Sequence, residues 1–339
     1  MSLNGTAQRD FERALGVANV ISDPPRLRSY ECDGLTGYRV VPALVLLPKT
    51  AEQVAAAVRV CAAHGIPFVA RGAGTGLSGG ALPVADGVVI SLQRLRRVLE
   101  VDPVDRRAVL EPGVTNLDIT RAAAPYGLYY APDPSSQQVC TIGGNVAENS
   151  GGAHCLKYGF TTNHVLALEV VLADGSVVTL GGDSGEQLGP DLRGVLLGSE
   201  GTVGIATKIT VRLLRAPETV RTLLADFPSI EAAGEVVSDI VAAGIVPAAT
   251  ISLTTSPAPA TDAKSASSVR TVSGVRNSRT VILVAIPTVP SEPTVTTVPS
   301  GSTTCAASTW WVVKPYLRQC APPEFSATLP PIVHTCWLE

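Results

Sequence analysis

The chain has 339 residues, of which 45% are hydrophobic and 16% are charged, and its net charge is -3. This length suffices for two domains, or for one large domain with an appendage, and the near-neutral charge argues against a nucleic-acid partner. No stretch reaches the ~18 uncharged apolar residues of a transmembrane helix, and the N-terminal residues show no apolar signal-peptide core. We therefore expect a cytoplasmic protein without a transmembrane segment.

The cysteines carry little functional signal. There are seven, scattered without a C-x-x-C pair, which excludes the usual spacings of iron–sulfur and structural zinc sites. Because disulfides are rare in cytosolic proteins, we expect free, buried thiols and no metal site.

The N-terminal part predicts a helical lead-in over residues 1–35, then one helix and two strands. From Ala51 onward apolar residues recur at helical spacing, Thr50 and Gln53 form a capping-box pattern, and Gly65 ends the helix. Residues 67–70 then predict a short buried strand, and residues 87–92 predict a second one.

Between these two strands lies a glycine-rich loop, residues 71–80, with five glycines in ten positions. Glycine permits positive φ angles and lets another molecule approach the main chain closely. The loop is therefore interpreted as a cradle for an anion such as a phosphate or pyrophosphate. A flexible surface loop is the alternative interpretation.

Residues 74–79 also match the dinucleotide-binding pattern G-x-G-x-x-G, and Glu100 or Asp102 lies roughly where a ribose-binding acid would. That fingerprint must open a helix whose N-terminus holds the pyrophosphate. Residues 81–87 are too short and too interrupted by proline and glycine to form this helix. The pattern therefore disfavours a nicotinamide-binding Rossmann domain, and the absence of a G-K-[ST] sequence excludes a nucleotide triphosphatase loop.

The middle of the chain predicts further strands and helices. They are paired strands at 98–101 and 107–111, a helix capped by Asn116 that runs through Ala124, a hairpin of 165–172 with 177–180, a half-buried strand at 209–214, a strand at 220–227 and a helix at 229–243. Residues 132–136 and 140–152 are rich in proline or in small polar residues. Such stretches are typical of backbone that lines a ligand closely, although a long surface loop is the alternative.

Four stretches together resemble a known family. They are residues 71–80, 132–136, 141–145 with 149–159, and the glycine-rich turn 198–205. In this order they resemble the PCMH-type FAD-binding domain of the vanillyl-alcohol-oxidase flavoproteins, most closely the glycolate oxidase FAD subunit and the D-lactate and D-2-hydroxyglutarate dehydrogenases. The resemblance covers residues 20–249. It implies an α+β fold with a two-part FAD-binding domain at 36–216, followed at 217–249 by the start of a C-terminal substrate or cap domain.

The resemblance also implies a cofactor site for FAD. The residues implied for the pyrophosphate are Arg71, Gly72, Ala73, Gly74, Thr75, Gly76, Leu77 and Ser78. Those implied for the isoalloxazine and ribityl parts are Pro132, Asp133, Pro134, Ser135, Thr141, Gly144, Asn145, Ser150 and Gly151, and those for the adenine side are Gly201, Thr202, Gly204 and Ile205. The loop contains no histidine, so FAD is expected to bind non-covalently. No catalytic residue is assigned, and His154 is expected to be structural.

The activity implied by the resemblance is oxidation of a small D-2-hydroxy acid, glycolate or D-lactate, to the 2-oxo acid by hydride transfer to FAD. Electrons would pass to a carrier or to an iron–sulfur partner subunit, and such partners would place the protein at the periphery of the membrane. The alternative is a flavin-binding module, or a truncated or frameshifted family member, without activity.

Beyond residue 249 the family pattern stops. Serine, threonine and proline dominate, and neither the family's substrate domain nor its Gly-Glu-His-Gly type motif is present. We expect residues 250–339 to form a non-homologous, disordered tail, with one strand at 280–286, a sticky segment at 310–313, and a His334 that matches no family motif. An out-of-frame reading or a wrongly predicted end would explain the change, and a natural proline-rich tail is the alternative.

Overall fold

A computed structural model describes residues 5–182, 189–227, 230–244, 246–247, 249–254, 280–288 and 335–336. The chain divides into two compact units, Met1–Ala216 and Pro217–Glu339. The α-helices described in the first unit are α1 (Gly5–Leu15), α2 (Pro24–Leu27), α3 (Ala51–His64), α4 (Asn116–Ala123), α5 (Ile142–Glu148), α6 (Cys155–Tyr158) and α7 (Leu192–Leu196). Single turns of 3₁₀-helix occur at Val17–Asn19, Arg28–Tyr30, Ala124–Tyr126 and Thr161–Asn163.

The strands of the first unit form two main sheets and one small pair. They are β1 (Val20–Ile21), β2 (Leu44–Leu46), β3 (Phe68–Arg71), β4 (Val88–Ser91), β5 (Val98–Asp102), β6 (Arg107–Leu110), β7 (Leu128–Tyr129), β8 (Val165–Val171), β9 (Val177–Gly181), β10 (Ile205–Arg212) and β11 (Leu214–Arg215). The small pair consists of β11 and β7.

The first sheet has the strand order β1-β2-β4-β3, and β4 runs parallel to both β2 and β3. Parallel strands need a crossover connection, which α3 supplies between β2 and β3. Apolar side chains of α1, α3 and the sheet share one core, in which Phe11, Leu46, Val54, Val58 and Ile90 are completely buried. This core holds the end of β3 rigidly at the point where the glycine-rich loop begins.

The ends of α3 follow the sequence prediction. Thr50 Oγ1 accepts a hydrogen bond from Gln53 N at 3.3 Å, and Gly65 ends the helix with φ +62°. The Gln53 side chain accepts from Lys49 N at 2.8 Å instead of from Thr50 N, so the capping box is displaced by one residue. Residues 72–87 connect β3 to β4 without a helix, as predicted, so a Rossmann arrangement does not occur at this loop.

The second sheet has the strand order β5-β6-β10-β8-β9, and every neighbouring pair is antiparallel. The predicted hairpins β5–β6 and β8–β9 are confirmed. Helices α4 and α5 contribute to its core, in which Leu110, Ile119, Ile142, Leu168 and Ile209 are at most 1% exposed. This second core positions α5 opposite the glycine-rich loop.

Two local predictions differ from the structure, and one alternative interpretation, a continuous loop at 140–152, is excluded. The prediction that Asn116 caps α4 is wrong, because the preceding Thr115 has extended backbone and its hydroxyl accepts from Asp118 N at 3.3 Å. Residues 140–152 contain the helix α5 rather than a continuous loop. Thr210 is buried rather than half-exposed, because β10 lies at the centre of its sheet.

The second unit contains a sheet and a helix. Its described elements are β12 (Thr219–Phe227), α8 (Ile230–Ala242), β13 (Ala249–Thr254), β14 (Thr280–Thr288) and β15 (Thr335–Cys336), with antiparallel strands in the order β13-β14-β12-β15. These elements confirm the predicted strands at 220–227 and 280–286 and the helix at 229–243. The rest of 250–339, including the segment 310–313 and His334, lies outside the described residues.

Candidate functional site

The glycine-rich loop begins at the carboxyl end of β3, and a hydrogen bond joins its first residue to the residue that follows it. The Arg71 guanidinium donates from Nη1 to the carbonyl oxygen of Ala81 at 3.0 Å. Between these two residues, the backbone N–H groups of 73–78 donate to no acceptor among the described residues. Consecutive N–H groups without internal acceptors form a surface that an anion can satisfy.

The buried side chain of Arg71 packs against the glycine-rich loop. The residue is only 7% exposed, and its guanidinium carbon lies 5.8 Å from the ring centroid of Tyr30. Burial lowers the pKa of Arg71, and the nearby Asp33 partly opposes that effect. A buried arginine remains charged at neutral pH, so a buried positive charge lies next to the loop.

A cleft lies between the glycine-rich loop, α5 and the turn at 196–206. Glycines allow these segments to approach one another. A Cβ atom on Gly72 would overlap the hydroxyl of Thr141, and a Cβ atom on Gly80 would lie 2.9 Å from Cβ of Glu200. The lack of side chains here is therefore a requirement of close backbone packing as well as of ligand access.

More than half of the residues predicted to bind FAD lie on the wall of this cleft. These are Arg71, Gly72, Ala73, Gly74, Thr75, Gly76, Thr141, Gly144, Asn145, Gly201, Gly204 and Ile205. The predicted residues that lie outside the wall are Leu77, Ser78, Pro132, Asp133, Pro134, Ser135, Ser150, Gly151 and Thr202.

Buried hydrogen bonds connect the cleft to the predicted flavin segment at 132–135. Asn145 Nδ2 donates to Asn116 Oδ1 at 2.8 Å, and Asn116 Nδ2 donates to the carbonyl oxygen of Pro132 at 2.8 Å. Asn116 and Asn145 are 1% and 2% exposed. Because buried amides are costly to leave unpaired, these two bonds fix α5 relative to α4 and to Pro132.

Asp133 connects the same segment to residues 150–154. Its Oδ1 accepts from the backbone N–H of His154 at 3.1 Å, and its Oδ2 contacts His154 Nδ1. Gly152 allows this approach, because a Cβ atom there would lie 2.5 Å from the carbonyl carbon of Asp133. These contacts fix the position of the His154 ring relative to the segment at 132–135.

Sequence reasoning missed two acidic residues on the cleft wall, Glu148 and Glu200. Burial raises the pKa of Glu200, and the neighbouring carboxylates of Glu148 and Asp33 raise it further. Glu200 also has a positive φ of 53°, with its N–H donating to Ala147 O at 2.8 Å. The sequence did offer a signal for both residues: each is the one acidic residue in a stretch of mostly small residues that the family resemblance assigns to the cofactor site.

The helices in the described ranges are all too short or too polar to cross a bilayer. Over those same ranges, no three His, Cys, Asp or Glu side chains converge in a way that would hold a metal ion.

Comparison with known proteins identifies the first unit. Residues 42–181 match the FAD binding domain family. The chain is 55% identical over 218 residues to glycolate oxidase subunit GlcD of Escherichia coli, covering 64% of this chain and 44% of that protein. It is 40% identical over 198 residues to D-lactate dehydrogenase of Archaeoglobus fulgidus, covering 58% of this chain and 44% of that one.

The fold has solved counterparts. The structure of p-cresol methylhydroxylase with substrate bound superposes with a TM-score of 0.69 and 19% identity, covering 97% of this chain and 68% of the other. The chain spans about half the length of the curated relatives it matches. The family match shows an FAD binding domain at residues 42–181, and the solved structure shows that the fold around it is a known one.

Proposed function

We propose that this chain binds FAD non-covalently in the cleft and belongs to an enzyme that oxidises a small D-2-hydroxy acid, glycolate or D-lactate, to the 2-oxo acid. The observation that carries the proposal is the row of N–H groups at 73–78, which have no acceptor among the described residues, within a family-matched domain. A pyrophosphate supplies the acceptors that these groups lack.

The proposed contacts combine residues of the cleft wall with neighbouring residues that the family resemblance implies. The loop from Arg71 to Ser78 would hold the pyrophosphate through backbone amides, and the turn with Gly201, Thr202, Gly204 and Ile205 would face the adenine. Residues for the ribityl and isoalloxazine parts would be Thr141, Gly144, Asn145, Ser150, Gly151 and the segment from Pro132 to Ser135. Glu148 and Glu200, whose carboxylates accept but do not donate hydrogen bonds when ionised, suit hydroxyl groups of the cofactor rather than its phosphates.

The remaining chemistry divides between cofactor and protein. FAD, when bound, supplies the acceptor for the hydride from the carbon that bears the hydroxyl group. The described residues hold and orient the cofactor: Arg71 braces the loop, and the Asn116–Asn145 bond fixes the opposite wall. A base for the hydroxyl proton and a cationic clamp for the carboxylate are still required, and the family resemblance places them in a C-terminal substrate domain.

A second candidate function is a flavin-binding module without its own catalysis. The observation behind this alternative is the sequence after residue 249, which lacks the family's Gly-Glu-His-Gly type motif. For the enzyme we propose that electrons reach a carrier or an iron–sulfur partner subunit, and that such a partner accounts for any peripheral membrane association.

Flavin reduction separates the two functions. Purified protein saturated with FAD is mixed anaerobically with glycolate, D-lactate or L-lactate, and absorbance near ~450 nm is followed. Bleaching by glycolate or D-lactate, but not by L-lactate, is expected for the enzyme. Bound flavin that no hydroxy acid bleaches supports the module, and failure to bind FAD contradicts both.

For residues 250–339 we propose a non-homologous end produced by an out-of-frame reading or a wrongly predicted end. Sequencing the coding DNA tests this idea. A reading frame downstream of codon 249 that encodes a family-like substrate domain is expected, and its absence from both alternative frames contradicts a frameshift.

A further inference from the structure

A second cleft of about 820 Å³ borders the first, and the two share Ala73 and Thr141 on their walls. Its volume lies in the range of ligand pockets, roughly 300–1,000 Å³. Five segments of the chain line the second cleft: Lys49, Ala73, residues 93–97, residues 113–118 and residues 139–141. Apart from the shared residues Ala73 and Thr141, the residues that line this cleft have no part in the proposed FAD contacts.

The charge of the second cleft is strongly positive. Lys49, Arg94, Arg96 and Arg97 line it, and all four are exposed. Such a concentration of cations stands out in a chain whose net charge is -3. Four like charges around one concave surface repel one another unless an anion or a carboxylate compensates them.

Carboxylates compensate only part of this charge. Glu111 pairs with Arg97 at 2.8 Å, and Asp118 on the cleft wall pairs with Arg121 at 2.9 Å. Arg94 donates to the amide oxygen of Asn19, which is neutral. Lys49 and Arg96 make no side-chain ion pair or hydrogen bond with any residue that the structure describes.

Polar groups that can donate complete the wall. Thr141 Oγ1 accepts from Gly144 N, so its hydroxyl proton remains available, whereas the Thr115 hydroxyl is hydrogen-bonded to the Asp118 side chain. Gln93 is also on the wall and donates its Nε2 to Gly72 O at 3.2 Å, which ties this cleft to the glycine-rich loop. The wall therefore offers cations and the hydroxyl group of Thr141.

We propose that the second cleft binds a small molecule carrying a diphosphate or two neighbouring phosphates, next to and separate from FAD. The guanidinium group presents paired N–H donors in a fork that matches phosphate oxygens, and Arg96 offers one such group that no described residue holds. The concave shape fits a small ligand better than the flat face of a protein partner. Lys49 and Arg96 bind the phosphates, while Arg94 and Arg97 remain held by Asn19 and Glu111.

Binding of inorganic pyrophosphate to the full chain saturated with FAD tests the proposal by titration calorimetry. Saturation with FAD occupies the proposed cofactor site, so pyrophosphate cannot bind in the first cleft. One equivalent of pyrophosphate is expected to bind, and Arg96→Gln and Lys49→Gln are each expected to weaken it about tenfold. Arg28→Gln, an exposed arginine away from the cleft, serves as the matched control and should leave the Kd unchanged.

Three results would overturn the proposal. The first is an FAD-saturated protein that binds no pyrophosphate, and the second is equal weakening by Arg28→Gln and by the cleft variants. The third is a loss of FAD affinity in Arg96→Gln and Lys49→Gln, which would assign the second cleft to the cofactor. Because FAD affinity and pyrophosphate affinity are measured separately, this test can fail while the proposed oxidase function stands.

Discussion

The guanidinium of Arg71 lies directly against Gly74, at the centre of the glycine-rich loop. A Cβ atom on Gly74 would come within 2.5 Å of the guanidinium carbon, and Gly74 also has a positive φ of 71°. Two independent constraints therefore require glycine at position 74: the left-handed backbone and the buried side chain beneath it.

Gly79 provides a way to separate these constraints, because its φ is +83° but nothing lies within 4 Å of its Cβ position. We expect Gly79→Ala to lower the free energy of unfolding by ~1–2 kcal/mol, the cost of the backbone alone. Gly74→Ala should cost ~1–3 kcal/mol more through overpacking, and should weaken FAD binding at least about tenfold. Chemical denaturation and flavin titration of both variants measure the difference. Equal losses in the two variants would show that Arg71 does not restrict position 74.

A substitution at Gly76 can test the proposed FAD site without destabilising the fold. Its φ is not in the left-handed region, and the nearest atom to its Cβ position is Glu148 Oε2 at 3.9 Å. Gly76→Ala should therefore change the stability of the FAD-free protein by no more than ~0.5 kcal/mol. Since the added methyl group occupies the cleft wall, FAD affinity should fall about tenfold or more. Gly37→Ala, in open space away from the cleft, is the control; an unchanged FAD affinity in Gly76→Ala would argue against this placement of the cofactor.

Local patterns predicted much of this architecture. Thr50 and Gly65 bound α3 as expected, because capping chemistry depends on residues a few positions apart. The strand-to-strand setting of the glycine-rich loop was also predictable, since residues 81–87 cannot form a helix. The four family-like stretches then located most of the cleft wall.

The remaining features depend on contacts between residues distant in the chain. The approach of Gly80 to Glu200 spans the two sheets, and the bond of Asn116 to Asn145 joins two helices. Neither pair has a local signature. The misplaced cap has a similar origin: Asn116 is a good capping residue in isolation, but its side chain is used for Asn145 and Pro132 instead.

Asn116 should therefore stabilise the fold through its two side-chain hydrogen bonds rather than as a helix cap. Asn116→Ala leaves Asn145 Nδ2 and the carbonyl of Pro132 without partners in a buried setting, at ~1–3 kcal/mol for each group. We expect a loss of ~2–4 kcal/mol in the free energy of unfolding. Gln8→Ala removes a less buried side-chain bond, to Glu12, and should cost under ~1 kcal/mol. A loss for Asn116→Ala no larger than that for Gln8→Ala would mean that water replaces the amide partners.

The thiols should differ in reactivity. Burial raises the pKa of Cys61 to about 12, and burial also raises that of Cys140, whereas Cys32 and Cys155 are partly exposed. Because the thiolate is the reactive form, iodoacetamide at about pH 8 should alkylate Cys32 and Cys155 in the folded protein and spare Cys61 and Cys140. Peptide mass spectrometry measures the modified fraction at each position, with urea-unfolded protein as the control. Rapid alkylation of Cys61 without denaturant would contradict its burial.

The raised pKa of Glu200 should make the stability of the folded protein depend on pH. A carboxyl group whose pKa lies above its ordinary 4.5 in the folded state binds its proton more tightly there than in the unfolded chain. Its contribution to stability is therefore greatest at low pH and is lost as the pH rises through the folded pKa.

Glu200→Gln removes this loss, so the variant should melt at least ~2 °C above the unchanged protein at about pH 7. Near pH ~4, where the carboxyl is largely protonated in both states, the advantage should disappear. Thermal melts of the FAD-free proteins at both pH values measure this, with the exposed Glu218→Gln as control. A gain at about pH 7 that persists unchanged at about pH 4 would show that charge at Glu200 is not the cause.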